Sequence, residues 1–222
     1  AYDHDRLQRY EQQLEQELAR LGDEGALYRR SDAYLYNLTA FAMTETKLPY
    51  LRRLAAIVPS GALVLDYGCG IGSDGLCLLE AGYRVAFADY ESPSLEYLRW
   101  RLRRRDLSAA GVYDLDTAAP PDGFDAAYAF DVIEHVDQPF EFLAELERRA
   151  ALVIVNLLEP AARETALHRR LPIAELLRHC STRGPLFYAR YHRRSHLVCY
   201  APGRRGTRRA RAALAWALLR LK

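Results

Sequence analysis

The 222-residue chain contains no stretch of eighteen or more apolar residues, which excludes a helix that spans a bilayer. Its first residues, Ala1-Tyr2-Asp3-His4-Asp5-Arg6, lack the apolar core of a secretory signal. There are only four cysteines, Cys69, Cys77, Cys180 and Cys199, and their spacing suits neither a zinc knuckle nor a disulfide framework. A reducing, cytoplasmic setting is the expectation. Acidic residues are absent from one end. After Leu176 there are twelve Lys or Arg and no Asp or Glu, so the first 176 residues carry nineteen basic against twenty-nine acidic side chains, a net of −10. A basic end of this kind serves nucleic acid, anionic lipid or an acidic carrier protein, or is simply a solvated helix face, and the solvated face is the reading preferred here.

Half of the residues are apolar, ample for a core, and the length suits a single domain. The stretch that organises the chain is residues 62–75, Ala-Leu-Val-Leu-Asp-Tyr-Gly-Cys-Gly-Ile-Gly-Ser-Asp-Gly. Leu63-Val64-Leu65 reads as a buried parallel strand that stops at Asp66. A turn with Gly68, Gly70 and Gly72 follows, and then a helix beginning near Leu76. Strand, glycine turn and helix is the layout of a nucleotide-cofactor site, because glycine lets the backbone turn sharply and approach a ligand.

Two later segments sharpen the reading. Arg84-Val85-Ala86-Phe87-Ala88-Asp89 is a second strand ending in an acid, with Tyr90 beside it. Residues 124–136 form a later strand and its loop, closing on Asp131-Val132-Ile133-Glu134-His135-Val136. With Asp66-Tyr67-Gly68-Cys69-Gly70-Ile71-Gly72, these segments resemble the class I S-adenosylmethionine (SAM)-dependent methyltransferases over roughly residues 50–200. The resemblance implies an α/β fold: a Rossmann-like, mostly parallel sheet with a C-terminal antiparallel hairpin, helices on both faces and an N-terminal helical lid. The corresponding division is residues 1–58 for the lid, 59–202 for the SAM-binding core and 203–222 for a basic C-terminal helix.

Periodicity predicts helices over 3–21, 46–57, 95–105, 139–149, 161–180 (interrupted by Pro172) and 208–221, with an aromatic stretch holding Tyr28, Tyr34, Tyr36 and Phe41 between the first two. Strands are expected near 109–112 and 151–157. Residues 186–191 and 196–200 alternate as a hairpin, on which His192 and His196 read as surface residues.

Ligands of such sheets bind outside the carboxyl ends of the strands, where Asp66, Asp89, Tyr113, Asp131 and Asn156 are expected to converge. The backbone of residues 68–72 is expected along the methionine part of SAM, with Asp66 near its ammonium. Asp89 is expected to hold both ribose hydroxyls, since a carboxylate accepts two hydrogen bonds at once. The resemblance puts Tyr113 or Asp114 beside the adenine, although the sequence departs there from the common family pattern. Aromatic faces attract a sulfonium cation by about 0.5–2 kcal/mol, a role open to Tyr34, Tyr36 and Tyr188.

Methyl transfer demands positioning, and a general base only where the acceptor is protonated. His135, Glu134 and His168 are the candidates, His135 first. No histidine and carboxylate set has metal-ligand spacing, so no metal is expected. The chain lacks a long insertion between the fifth strand and the hairpin and any Asn-Pro-Pro-Tyr base-flipping motif. A small-molecule acceptor is therefore expected in preference to nucleic acid, with a homodimer open. Two alternatives stand beside methyl transfer. In the first, SAM is the sole substrate and cyclises to azetidine-2-carboxylate, with Asn156 orienting the amine. In the second, the fold is a non-catalytic SAM-binding partner protein.

Overall fold

The computed structural model describes residues 3–159 and 167–221. Seven strands form a mostly parallel sheet with one antiparallel hairpin and helices around it. The chain divides into two compact units, Ala1–Pro120 and Pro121–Lys222.

The first unit begins with helices. The amphipathic run over 3–21 is two helices, α1 (His4–Gln8) and α2 (Tyr10–Leu21), separated at Arg9. Gly22 ends α2 in the left-handed conformation. The aromatic stretch is helical too, as α3 (Glu24–Arg30) and α4 (Asp32–Met43), each started by an acid or serine cap: Asp23 accepts from the Ala26 N–H and Ser31 from the Tyr34 N–H. Helix α5 (Leu48–Ile57) leads into β1 (Leu63–Tyr67), which is followed by α6 (Ser73–Glu80), β2 (Arg84–Asp89), α7 (Pro93–Arg104) and β3 (Gly111–Asp114). The strands run β3-β2-β1, all parallel, with Leu65 opposite Ala86 and Ala88 opposite Tyr113. Val64, Leu65, Val85 and Phe87 are fully buried, as strands covered on both faces require.

The second unit contains β4 (Ala126–Ala129), a short 3-10 turn (Ile133–His135), α8 (Pro139–Arg149), β5 (Val153–Leu158), α9 (Ile173–Thr182), β6 (Pro185–Tyr191), β7 (Ser195–Tyr200) and α10 (Arg208–Arg220). Its order is β4-β5-β7-β6, with β4 and β5 parallel and β7 antiparallel to both neighbours. Every residue of β7 is buried, because the strand lies between β5 and β6. His192 and Arg193 both take positive φ, the left-handed pair that reverses a tight hairpin. The helix expected over 161–180 is seen only as α9, after Pro172; residues 160–166 lie outside the described residues. Helix α10 is capped by Thr207 and docks on β6 and α9. No described helix is long and apolar enough to cross a membrane.

Candidate active site

In the first unit the site is built from the turn after β1 and the acid that ends β2. The backbone N–H of Gly68 bonds the Ala88 carbonyl at 2.8 Å, and that of Gly72 bonds the Cys69 carbonyl at 2.8 Å. Gly68, Gly70 and Gly72 take φ of +74°, +52° and +67°, a region that costs other residues roughly 1–2 kcal/mol each. Asp89 is locked to this turn. Its Oδ2 accepts from the Gly70 N–H at 2.6 Å and its Oδ1 from the Tyr90 N–H at 2.7 Å. Burial pushes the Asp89 carboxyl above the usual carboxylate range, while these two N–H groups and the Arg29 guanidinium pull the other way. Each carboxylate oxygen still has acceptor capacity, since two lone-pair directions are available on each and one is used.

The helices ahead of β1 close over this turn. A methyl group added at Gly70 would lie 3.0 Å from Leu38 Cδ1 of α4. Lys47 pairs with Asp74 at 3.3 Å, joining the start of α5 to α6. Arg29 of α3 lies over the Tyr90 ring at 4.1 Å and binds both oxygens of Asp116. Tyr90 is thus covered on one face and 40% exposed overall.

The other residues singled out in this unit take different places. Asp66 is buried at the end of β1, beside Gly75, where an added methyl would lie 2.9 Å from its Oδ2 and 2.2 Å from Phe87 Cε1. Tyr113 leans over Gly111. Asp114 organises its own loop: it accepts from the N–H groups of Asp116 and Glu91 and from the Thr117 hydroxyl. Those bonds, the Asp116 N–H first, hold its carboxyl below the usual range. Tyr34 packs edge-on to Tyr28, with ring centroids 4.9 Å apart. Tyr36 serves the helical segment: its hydroxyl accepts from the Asp3 N–H at 3.1 Å, and the Arg6 guanidinium lies 4.8 Å from its ring centre.

The second unit has two polar networks that the sequence does not reveal. In the first, Asp131 and Asn156 face each other at the ends of β4 and β5. Asn156 is fully buried, and its amide nitrogen donates to Asp131 Oδ1 at 2.6 Å and to Ser195 Oγ at 3.2 Å. Its amide oxygen accepts from the Asp131 N–H at 2.8 Å. Both Asn156 donors are committed, which makes it a bracket joining three strands and leaves no N–H to orient an amine. Asp131 is held at φ +56°, and its Oδ2 is a buried acceptor without a hydrogen-bond partner among the described residues.

The second network corrects the reading of His196 as a surface residue. His196 is 2% exposed, because β7 is an interior strand. Its Nδ1 lies 2.9 Å from the Tyr188 hydroxyl and its Nε2 lies 2.6 Å from Glu159 Oε1. Burial lowers the His196 pKa against the pull of Glu159, and burial raises that of Tyr188. With a neutral imidazole, Tyr188 donates to Nδ1 and Nε2–H donates to Glu159, which Arg190 also holds at 2.6 Å. Tyr188, His196 and Glu159 line a cavity of about 530 Å³ together with Trp216 and Arg220 of α10. His192, by contrast, is exposed on the hairpin.

His135 lies in the 3-10 turn after β4, with its Nδ1 3.0 Å from the Leu167 carbonyl and its ring edge-on to His168. Glu134, His135 and His168 come together although no spacing in the sequence announces them.

Comparison with known proteins agrees with this architecture. Residues 65–151 match the model of a methyltransferase domain, covering the glycine turn, Asp89 and the 131–136 loop. Over this segment the chain is similar to methyltransferases. Among its relatives is the cypemycin N-terminal methyltransferase of Streptomyces sp, 36% identical over 131 residues that make up 55% of this chain. The chain spans about half the length of that relative, 51%. The magnesium protoporphyrin IX methyltransferase of Synechocystis PCC 6803, solved with bound S-adenosylhomocysteine (SAH), shares the methyltransferase fold with a TM-score of 0.60 at 16% identity, over 77% of this chain and 88% of that one. The 1,6-didemethyltoxoflavin-N1-methyltransferase of Burkholderia thailandensis aligns with a TM-score of 0.55 at 21% identity, over 69% and 76%. The azetidine-forming alternative draws no specific support from these class I methyltransferase relatives.

Proposed function

We propose that this protein transfers the methyl group of SAM to an amine of a small molecule or of a peptide terminus. The observation that carries the reading is Asp89, pinned by the N–H groups of Gly70 and Tyr90 at the lip of the glycine turn. A fixed carboxylate with remaining acceptor capacity fits the two hydroxyls of a ribose and repels a phosphate. In the second unit, Asp131 Oδ2, buried and without a hydrogen-bond partner among the described residues, is an acceptor suited to a ligand N–H or O–H. SAM supplies an electrophilic methyl on a sulfonium. The amine class of acceptor is inferred from the N-terminal methyltransferase relative.

The chain's own contribution is alignment and proton removal. An amine attacks only as its neutral form, so a proton must leave the ammonium. Within the second unit, the Tyr188 hydroxyl can take such a proton while passing its own to His196 Nδ1, and the resulting imidazolium faces the Glu159 carboxylate. The methyl–nitrogen bond then forms as the carbon–sulfur bond breaks, the sulfur keeps the electron pair, and SAH leaves. The test is calorimetric titration of SAM into wild-type and Asp89→Asn protein, followed by SAH release with a panel of peptides and small amines. Micromolar SAM binding lost in Asp89→Asn, with amine-dependent SAH release, supports the reading. Wild-type protein that binds no SAM overturns it.

A further inference from the structure

We propose that Glu134, His135 and His168 form a binding site for a divalent metal ion of the zinc class. This is the one cluster of three such side chains among the described residues, with all three ligand atoms within 4.8 Å of one another. Two imidazoles and one carboxylate are the donor set that zinc and its neighbours accept, and three protein ligands leave a coordination position open to water or substrate. The ligands are not loose surface groups. Glu134 is 2% exposed, and the two histidines are half-buried.

The surroundings are built as a metal site's surroundings are. His135 Nδ1 donates to the Leu167 carbonyl at 3.0 Å, which fixes the tautomer with Nε2 as the acceptor nitrogen. A metal-ligating histidine characteristically holds its second nitrogen in this way. His168 comes from a segment 33 residues further on, yet that segment is strapped to the 134–137 loop by one residue. The Arg169 N–H donates to the Glu134 carbonyl at 2.8 Å, its Nη1 to the His135 carbonyl at 2.9 Å and its Nε to Asp137 at 2.8 Å. The Asp137 carboxylate offsets the Arg169 charge, so the guanidinium does not face the cluster uncompensated. The two imidazoles are already edge to face, with centroids 4.8 Å apart. Zinc–nitrogen bonds of about 2 Å set two donors about 3.3 Å apart, so binding draws the side chains inward by about 1 Å.

The proposal does not rest on methyl transfer, and its test needs no SAM. Protein stripped with a chelator and dialysed against zinc alone is assayed for bound metal per chain by mass spectrometry, and cobalt is then substituted to read ligand geometry from its visible absorption. The expected result is one zinc per chain, weakened at least 100-fold in both His168→Ala and His135→Ala and unchanged in the exposed-residue variant His192→Ala. Circular dichroism shows whether each variant is folded, and His168→Gln replaces any alanine variant that is not. Wild-type protein with no stoichiometric zinc, or zinc retained at wild-type affinity by the His168 and His135 variants, overturns the site.

Discussion

Asp131 and Asn156 are bound to each other twice, side chain to side chain at 2.6 Å and backbone to side chain at 2.8 Å, across 25 residues of sequence. This double bond holds Asp131 at φ +56°, a conformation an aspartate does not adopt cheaply. Asn156→Ala removes the clamp and strands buried partners at about 1–3 kcal/mol each. Urea denaturation is expected to show a loss in that range or greater. Asn156→Asp should be no better, since it sets a second carboxylate against Asp131.

Asp89→Asn keeps the size of the side chain but removes the charge. The two charge-assisted hydrogen bonds to a ribose that the proposed function assigns to Asp89 are then weakened, at about 1.5 kcal/mol or more each. SAM affinity should fall by about 100-fold, and the unliganded protein should melt lower, since the asparagine Nδ2 cannot accept from one of the two N–H groups that Asp89 holds. Because burial raises the Asp89 pKa, the wild type should lose SAM affinity on acidification at a higher pH than an ordinary aspartate would dictate. Titrations at stepwise lower pH check this, with Asp89→Asn giving the flat control.

His196 has its pKa lowered by burial, so the unfolded chain takes up the proton first as pH falls. Stability tied to neutral His196 is present above the unfolded value of about 6.5 and is lost as pH falls from there towards the depressed folded value. His196→Gln should therefore show a shallower fall in unfolding free energy between neutral and mildly acid pH. It should also cut turnover more than SAM affinity, as Tyr188→Phe should, because both interrupt the same relay.

Gly75 is in the first turn of α6, and within helices alanine is ordinarily better than glycine by up to about 1 kcal/mol. Here the added methyl would meet Phe87 at 2.2 Å and Asp66 at 2.9 Å, and overpacking of a tight core costs about 1–3 kcal/mol. Gly75→Ala should lower the melting temperature rather than raise it. A raised melting temperature would show that Phe87 can move aside.

Much of the fold could be read from the chain. Buried parallel strands are short apolar runs, so β1, β2 and β5 stand out. Helix α8 is delimited by Pro139 and by the charged Arg148-Arg149 pair. The glycine turn and Asp89 were legible because their spacing is local. Helices α3 and α4 were not, since an aromatic stretch without an apolar stripe gives no period to detect. The burial of His196 is hidden for a related reason. It sits beside an arginine-rich turn in sequence, and its burial is set by β5 and β6 on either side. The pairing of His196 with Glu159 and the gathering of Glu134, His135 and His168 depend on topology, and no local spacing encodes them.

The Asp89 carboxylate is already seated on the glycine turn through the Gly70 and Tyr90 N–H groups. Ordering of that anchor is complete at the end of folding, so a nucleoside meets a rigid mould and loses little further entropy in settling there. In the function proposed above, the mould grips the part of the ligand that the donor shares with the spent donor. It is blind to the presence of the methyl group. SAH should therefore compete with SAM for the same seat at comparable strength, and turnover should slow as product accumulates unless another activity removes it.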